Sequence, residues 1–382
     1  MEKSKTNYWN MFIQLTRRHL LVFFRNKVRV FFTLMVPFII FAIYILFLRD
    51  LELNTAHSVL IELEEELGAS FTGDETLLRH IGTVIDSWML SGIIAISTIT
   101  VSLQTNTIIV SDRENGINRD FASSPISRNL LIGSYFLFNI IVTVLICFTF
   151  LLVCLIYLVC MGEFVITFVD FLAIFAILVY SSVVSVLLTV FICSFIRRDS
   201  TMASINTIFS TAVGFIIGAY LPIAAMPDWA QNVCAFFPGT FSCSLLRYSF
   251  MSTPIAGLTE YVGTLNVAGA TDIISGVTAS FGYNYTFFGV DVAPGWQALV
   301  NLIFIAILLV ANVLASNKLV SVIGSVGKQI KKVKAGADKL FSELKGEKGD
   351  AQTESEQPDN TQYGQSGNPL GDDGGGQEEN IE

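Results

Sequence analysis

The chain has 382 residues, 52% hydrophobic and 14% charged, with a mean hydropathy of +0.60. A soluble protein of this size needs far more charge to cover its surface, so the composition excludes a soluble globular domain and makes the bilayer the main solvent. The net charge of −9 is local: residues 349–382 hold nine acids and no Lys or Arg, and the remainder is balanced, which leaves no basic surface for a nucleic acid.

In chain order, residues 1–29 mix aromatics and bases. Trp9, Phe12, Leu15 and Leu20 can share one helical face, with Arg17, Arg18 and Arg25 toward water, the pattern of a helix lying in the headgroup plane. Six apolar spans follow, at about 30–48 (with Pro37 as a kink), 84–110, 130–160, 164–195, 201–223 and 296–316, each long enough to cross a hydrocarbon core of about 30 Å. No small-residue cleavage site follows the first apolar stretch, which ends at Arg49-Asp50, so it reads as a retained span. The predicted fold class is an all-α integral membrane protein with six transmembrane helices, the permease domain occupying 30–320.

An acidic segment separates the first two spans, and a longer outer loop, 224–295, separates the last two. Its first part, 224–250, carries apolar pieces too short to cross, broken by Pro227 and Pro238, which read as re-entrant or interfacial helices before the last span. Residues 251–294 are Gly-, Thr- and aromatic-rich and read as a small ordered outer loop. After the last span, 321–348 interleaves Lys with apolar residues as a basic amphipathic helix suited to anionic lipid, and 349–382 has the composition of a disordered acidic tail. Of six cysteines, Cys234 and Cys243 share the outer loop and could be bonded or free.

Orientation comes from the bases. Seven of the 23 Lys and Arg precede the first span, three lie in 111–129, two in 196–200 and eight follow the last span; Arg49, Arg79 and Arg247 alone fall on the other side. The positive-inside rule then puts both termini in the cytoplasm.

Two stripes of small polar residues could carry function. On the second span Ser91, Thr98, Ser102 and Thr105 recur at helical spacing, and on the fifth Ser204, Thr207 and Thr211 run into Gly214 and Gly218, a GxxxG. Small residues and hydroxyls serve close helix packing; the sharper reading is that both stripes line a substrate path. Mid-span acids and bases, which proton- and ion-coupled transporters use as relays, are missing: Asp86 and Asp170 sit near span ends. Energy for transport would then enter from outside the membrane. Gly324–Lys328 lacks the spacing of a phosphate loop, and three scattered histidines make no metal set, so the chain is read as no enzyme, with no cofactor or metal of its own.

The sharpest motif is the cytoplasmic loop after the second span, where Arg113, Glu114, Gly116, Arg119, Ser124, Pro125, Ser127 and Arg128 form an E-x-G followed by S-P-x-S-R. This resembles the corresponding loop of type-2 ABC exporter permeases. The resemblance extends over about 6–320: an amphipathic N-terminal segment, six spans with both ends inside, short outer helices before the last span, and an F-P then Arg motif present as Phe237, Pro238 and Arg247. The long 251–294 insertion and the basic-then-acidic tail depart from a minimal member.

The resemblance implies the membrane subunit of an ATP-driven exporter in a bacterial plasma membrane, working as a homodimer or with a related permease. A separate ATPase subunit would hold ATP and Mg. Residues 113–128 would be its coupling helix, with Glu114, Arg119 and Arg128 in charge-assisted contacts, Gly116 at the turn and Pro125 at the helix stop. Phe237, Pro238 and Arg247 would gate the outer mouth. The cargo stays open among amphipathic drugs, lipids, glycans and peptides. A receptor, anchor or assembly factor of the same fold explains the spans equally well but gives no reason for the cytoplasmic loop.

Overall fold

The computed structural model describes residues 8–67, 73–123, 126–161, 167–223, 226–264, 270–283, 286–287 and 290–315. Contacts divide the chain into residues 1–318 and 319–382; the predicted basic helix and acidic tail belong to the second unit and lie outside the described residues. Among the described residues the first unit is helical apart from turns and a hairpin of two short strands, β1 (Thr286–Phe287) against β2 (Val290–Asp291).

Helix α1 (Tyr8–Arg25) breaks at Asn26, whose side chain accepts from the Arg29 amide and so caps α2 (Lys27–Ile43). The buried face of α1 runs through Leu15, Thr16, His19 and Phe23. One expectation changes here. Arg18 turns inward to pair with Asp112 (2.6 Å) instead of facing water. A desolvated carboxylate is a stronger partner for a guanidinium than bulk water is.

Helix α2 passes through Pro37 and a π-helical turn, Tyr44–Leu48, directly into α3 (Arg49–Leu67). The first span is therefore one end of a longer helix, and part of the segment expected as an acidic connection is helical. The π turn sets Tyr44 and Arg49 against Asp86 of α4, which is 1% exposed and accepts from the Tyr44 hydroxyl (2.5 Å) and Arg49 Nε (3.0 Å). A buried carboxylate survives only with such partners.

Helix α4 (Glu75–Thr105) is the hub. Asp74 caps it by accepting from the Thr76 and Leu77 amides, and its apolar window is wholly buried among α2, α7 (Arg128–Met161), α8 (Phe168–Cys193), α9 (Asp199–Ile216) and α11 (Pro238–Thr264). Its small residues permit that crowding. Beyond Asn106 come α5 (Thr107–Glu114) and α6 (Ile117–Ser123), and between α9 and α11 the short α10 (Asp228–Ala235).

The 251–294 stretch is no simple loop: α11 runs on to Thr264, and α12 (Ala270–Ser280) follows. The last described helix, α13 (Pro294–Ala315), is held by Asn312 Nδ2 to the Leu187 carbonyl (2.9 Å) and Asn301 Nδ2 to Ser242 Oγ (2.9 Å), and its outer face is apolar and exposed.

Among the described residues, five helical stretches are long and apolar enough to cross a membrane: Lys27–Ser58, Glu75–Glu114, Asn129–Met161, Phe168–Cys193 and Pro294–Ala315. The fifth expected span, 201–223, is helical only to Ile216 and is too rich in Ser, Thr and Asn to join that set. Cys234 and Cys243 are both free thiols.

Candidate functional site

The polar stripe of α4 is sealed inside the protomer. Ser91, Thr98, Ser102 and Thr105 are each at most 1% exposed. Thr98 Oγ1 meets Ser185 Oγ at 2.9 Å, and Ser102 Oγ meets Thr189 Oγ1 at 2.5 Å, both on α8. Asn106 Nδ2 donates to Thr189 Oγ1 (2.9 Å), while Asn139 Nδ2 of α7 donates to Asn106 Oδ1 (2.7 Å) and to the Ser102 carbonyl (3.2 Å). These hydroxyls and amides tie three helices together, and in this conformation they line no open path. The packing reading fits α4, because a hydroxyl among apolar neighbours takes whatever acceptor the next helix offers.

Helix α9 differs. Ser204, Thr207 and Thr211 are exposed, each hydroxyl returned to the carbonyl four residues earlier at 2.9–3.2 Å. The stripe thus presents methyls and half-satisfied oxygens to whatever lies alongside. Its GxxxG is not a packing groove within the protomer. Gly218 lies past the helix end at φ 70°, and the Ala219 amide bonds the Gly214 carbonyl (2.8 Å) while the Gly218 amide bonds that of Phe215 (3.1 Å). That is a Schellman cap, which favours glycine at the left-handed position.

Both ends of α9 are held by charged side chains from other elements. At its start, Glu114 Oε2 at the end of α5 accepts from the Asp199 amide at 2.6 Å. At its finish, Arg247 Nη2 on α11 donates to the Gly218 carbonyl at 2.7 Å. An acid at a helix N-terminus and a base at its C-terminus both complement the macrodipole. Arg247 is 3% exposed with no carboxylate partner among the described residues, and its guanidinium sits 5.3 Å over the Trp88 ring. The helix-end carbonyl and the ring face supply the negative potential that a buried cation needs.

Arg113 completes the junction. Its Nη1 reaches the carbonyls of Cys193 (2.9 Å) and Ile196 (2.5 Å), capping the end of α8. Adjacent residues of α5 therefore grip the end of one helix and the start of the next. Asp112, just before them, takes Arg18 of α1 and the Tyr135 hydroxyl (2.6 Å), binding the interfacial helix to the same block. His19, stacked on Tyr135 at 4.0 Å, is driven by burial to a pKa of about 4 and is neutral at pH 7.

Of the other predicted residues, Gly116 does make the turn between α5 and α6, at φ 78°. Ser124 and Pro125 lie outside the described residues, as do the side chains of Arg119 and Arg128; Arg128 opens α7. Phe237 packs near Phe209 of α9 (ring centroids 6.2 Å), and Pro238 is buried at the start of α11. Of the three predicted outer-gate residues, Arg247 is thus at the far end of α9 and Phe237 is near its middle, at Phe209. The sequence reading gave Asp112, Arg18, Asn106 and Asn139 no role in the site. A buried-polar signal was present in them, but nothing along the chain says which helices meet.

The family model for ABC-2 type transporters matches residues 10–251. The chain belongs to the ABC-2 type transporter family. No curated protein matches it significantly. As a member with several apolar helices, it is a multi-pass membrane protein and a permease component of an ABC transporter. The match takes in α1 through Met251 and so covers the α5–α6 segment, α9 and Arg247.

Proposed function

We propose that this permease component is one half of an ATP-driven exporter in a bacterial plasma membrane, with six spans, both termini cytoplasmic, and α9 as the sixth crossing element. The distribution of Lys and Arg supports the orientation. A separate ATPase subunit, carrying ATP and Mg, docks on the α5–α6 segment, and the dimer partner is a second copy or a related permease. The cargo is amphipathic (a drug, lipid, glycan or peptide) and passes along the exposed hydroxyls of Ser204, Thr207 and Thr211 rather than along α4.

The observation that carries this reading is the clamp on α9. A helix of 18 residues spans about 27 Å and resists bending. A push on α5 would reach its first amide through Glu114, while Arg113 keeps the α8–α9 turn from yielding. The displaced far end carries the Gly218 carbonyl, and with it Arg247. Glu114 in this scheme works on α9 rather than on the ATPase. Docking falls to the side chains of α6 and its flanking turns, where Asn115 and Asp120 are exposed.

The test is affinity purification from native membranes in mild detergent, with mass spectrometry of what co-purifies, beside an Asp120→Lys control. An ABC ATPase with wild type and a reduced yield with the control is the expected result. No ATPase in either sample, with the permease intact and dimeric, would overturn the transporter reading in favour of a receptor or assembly factor.

A further inference from the structure

A groove of about 610 Å³ opens on the protein surface where α8 ends and α9 begins. Its apolar wall is built from Phe191, Ile192, Phe195 and Ile196 of α8 and the following turn, with Ile205 of α9 opposite. Phe195 is 68% exposed. The volume lies in the range of small-molecule sites, and the wall is apolar where an aqueous groove would be mixed. In a membrane protein such a groove meets acyl chains.

One end of the groove is different. Arg197, Arg198 and Thr201 line it, and both arginines are exposed. Neither forms an ion pair with a carboxylate among the described residues. Of the neighbouring acids, Glu114 is turned to the Asp199 amide, and no ion pair joins either acid to these arginines. Two exposed guanidiniums with no ion pair among the described residues, at the mouth of an apolar groove, match a phosphate attached to a hydrocarbon tail. Arginine is suited to that task, since its planar fork binds phosphate oxygens in pairs.

We infer that the α8–α9 groove is a binding site for one anionic phospholipid, its phosphate held by Arg197 and Arg198 and an acyl chain lying on Phe191, Phe195 and Ile205. The lipid would sit beside the turn that Arg113 and Glu114 clamp, on a flank of α9 distinct from the Ser204–Thr211 stripe. The inference needs only that the chain is embedded in a bilayer, and stands apart from the ATPase and transport reading.

The test is a local one, because basic residues elsewhere in the chain also attract anionic lipid. A fluorophore on Thr201→Cys, in a Cys160→Ser background that removes the exposed native thiol, reports the groove directly. The full chain goes into nanodiscs of phosphatidylcholine doped with nitroxide-labelled phosphatidylglycerol or, separately, nitroxide-labelled phosphatidylcholine. Each basic residue near a headgroup contributes about fivefold to anionic preference, so the pair should give roughly 30-fold tighter quenching by the anionic probe. Arg197→Gln with Arg198→Gln should bring the two probes level while leaving quenching by labelled phosphatidylcholine in place. That residual quenching also shows that the variant is folded and inserted. Inorganic phosphate at millimolar concentration should not relieve the anionic quenching, since it lacks the tail.

Equal quenching by both probes in the wild type, or a preference that survives the double substitution, would overturn the inference. So would relief by inorganic phosphate alone, which would make this a soluble-anion site, or a label shielded from both lipids by a second protomer or a bound protein.

Discussion

Removing the Glu114 carboxylate should fray the start of α9. Its Oε2 accepts from the Asp199 amide at 2.6 Å, and the Arg198 cap position before it contributes no side-chain bond of its own. Loss of a capping acceptor costs about 1 kcal/mol, and loss of a negative charge at a helix N-terminus adds about 0.3–1 kcal/mol. Glu114 is exposed, so salt screens the second part and about 1–2 kcal/mol is the ceiling. Hydrogen–deuterium exchange of the full chain in nanodiscs reads this as local opening, with peptides covering 199–206 exchanging about 5–30-fold faster in Glu114→Ala. Glu114→Gln keeps an acceptor and loses only the charge, so its effect should be smaller and should shrink as salt rises. Asp120→Ala, on the exposed side of α6, should leave α9 unchanged. If Glu114→Ala exchanges at the wild-type rate across 199–206 while α5 stays protected, the clamp on α9 contributes nothing and the strut argument fails.

Three further outcomes are expected. Asn139→Leu strands Asn106 Oδ1 and the Ser102 carbonyl without that donor inside the α4–α7–α8 contact, and should lower stability by about 1–2 kcal/mol; an unchanged midpoint in a denaturing-detergent titration would count against it. Gly218→Ala puts a Cβ against the Ile223 side chain at a left-handed backbone position. It should cost at least about 1–2 kcal/mol, from the backbone alone, and an unchanged midpoint of thermal unfolding in detergent would refute the cap. His19 is held neutral with a pKa of about 4 against an ordinary 6.5, among Arg18, Asp112, Ser134 and Tyr135. The unfolded state binds the extra proton between those values, so the stabilisation is full above pH 6.5 and is lost as pH falls toward 4, about 3 kcal/mol at most. Protection of the α1 amides, taken relative to intrinsic exchange at each pH, should therefore fall between pH 6.5 and 4.5, and His19→Gln should abolish that step; a step that persists in the variant would assign it to another group.

The linear pattern made much of the architecture legible. Apolar runs of span length, the amphipathic N-terminal segment, and Gly116 in the loop all depend on short-range physics: hydrophobic transfer, helical periodicity and permitted backbone angles. Errors arose where two helices decide together. The hydroxyl stripes of α4 and α9 look alike in sequence, yet one is sealed by α7 and α8 and the other is exposed. Gly214 and Gly218 read as a packing motif because spacing alone cannot reveal that the helix ends between them.

The sequence by itself therefore determined that this is a helical membrane protein, roughly where five of its apolar helices lie, and to which family of permeases its loop motif is similar, because each rests on the chemistry of neighbouring residues. The tertiary structure alone decided the partners. Asp112 meets Arg18 across 94 residues, Glu114 meets the Asp199 amide across 85, and Arg247 meets the Gly218 carbonyl at the far end of the same helix. Those contacts follow from how helices stack around α4, and a buried charge accepts whichever complementary group that stacking delivers.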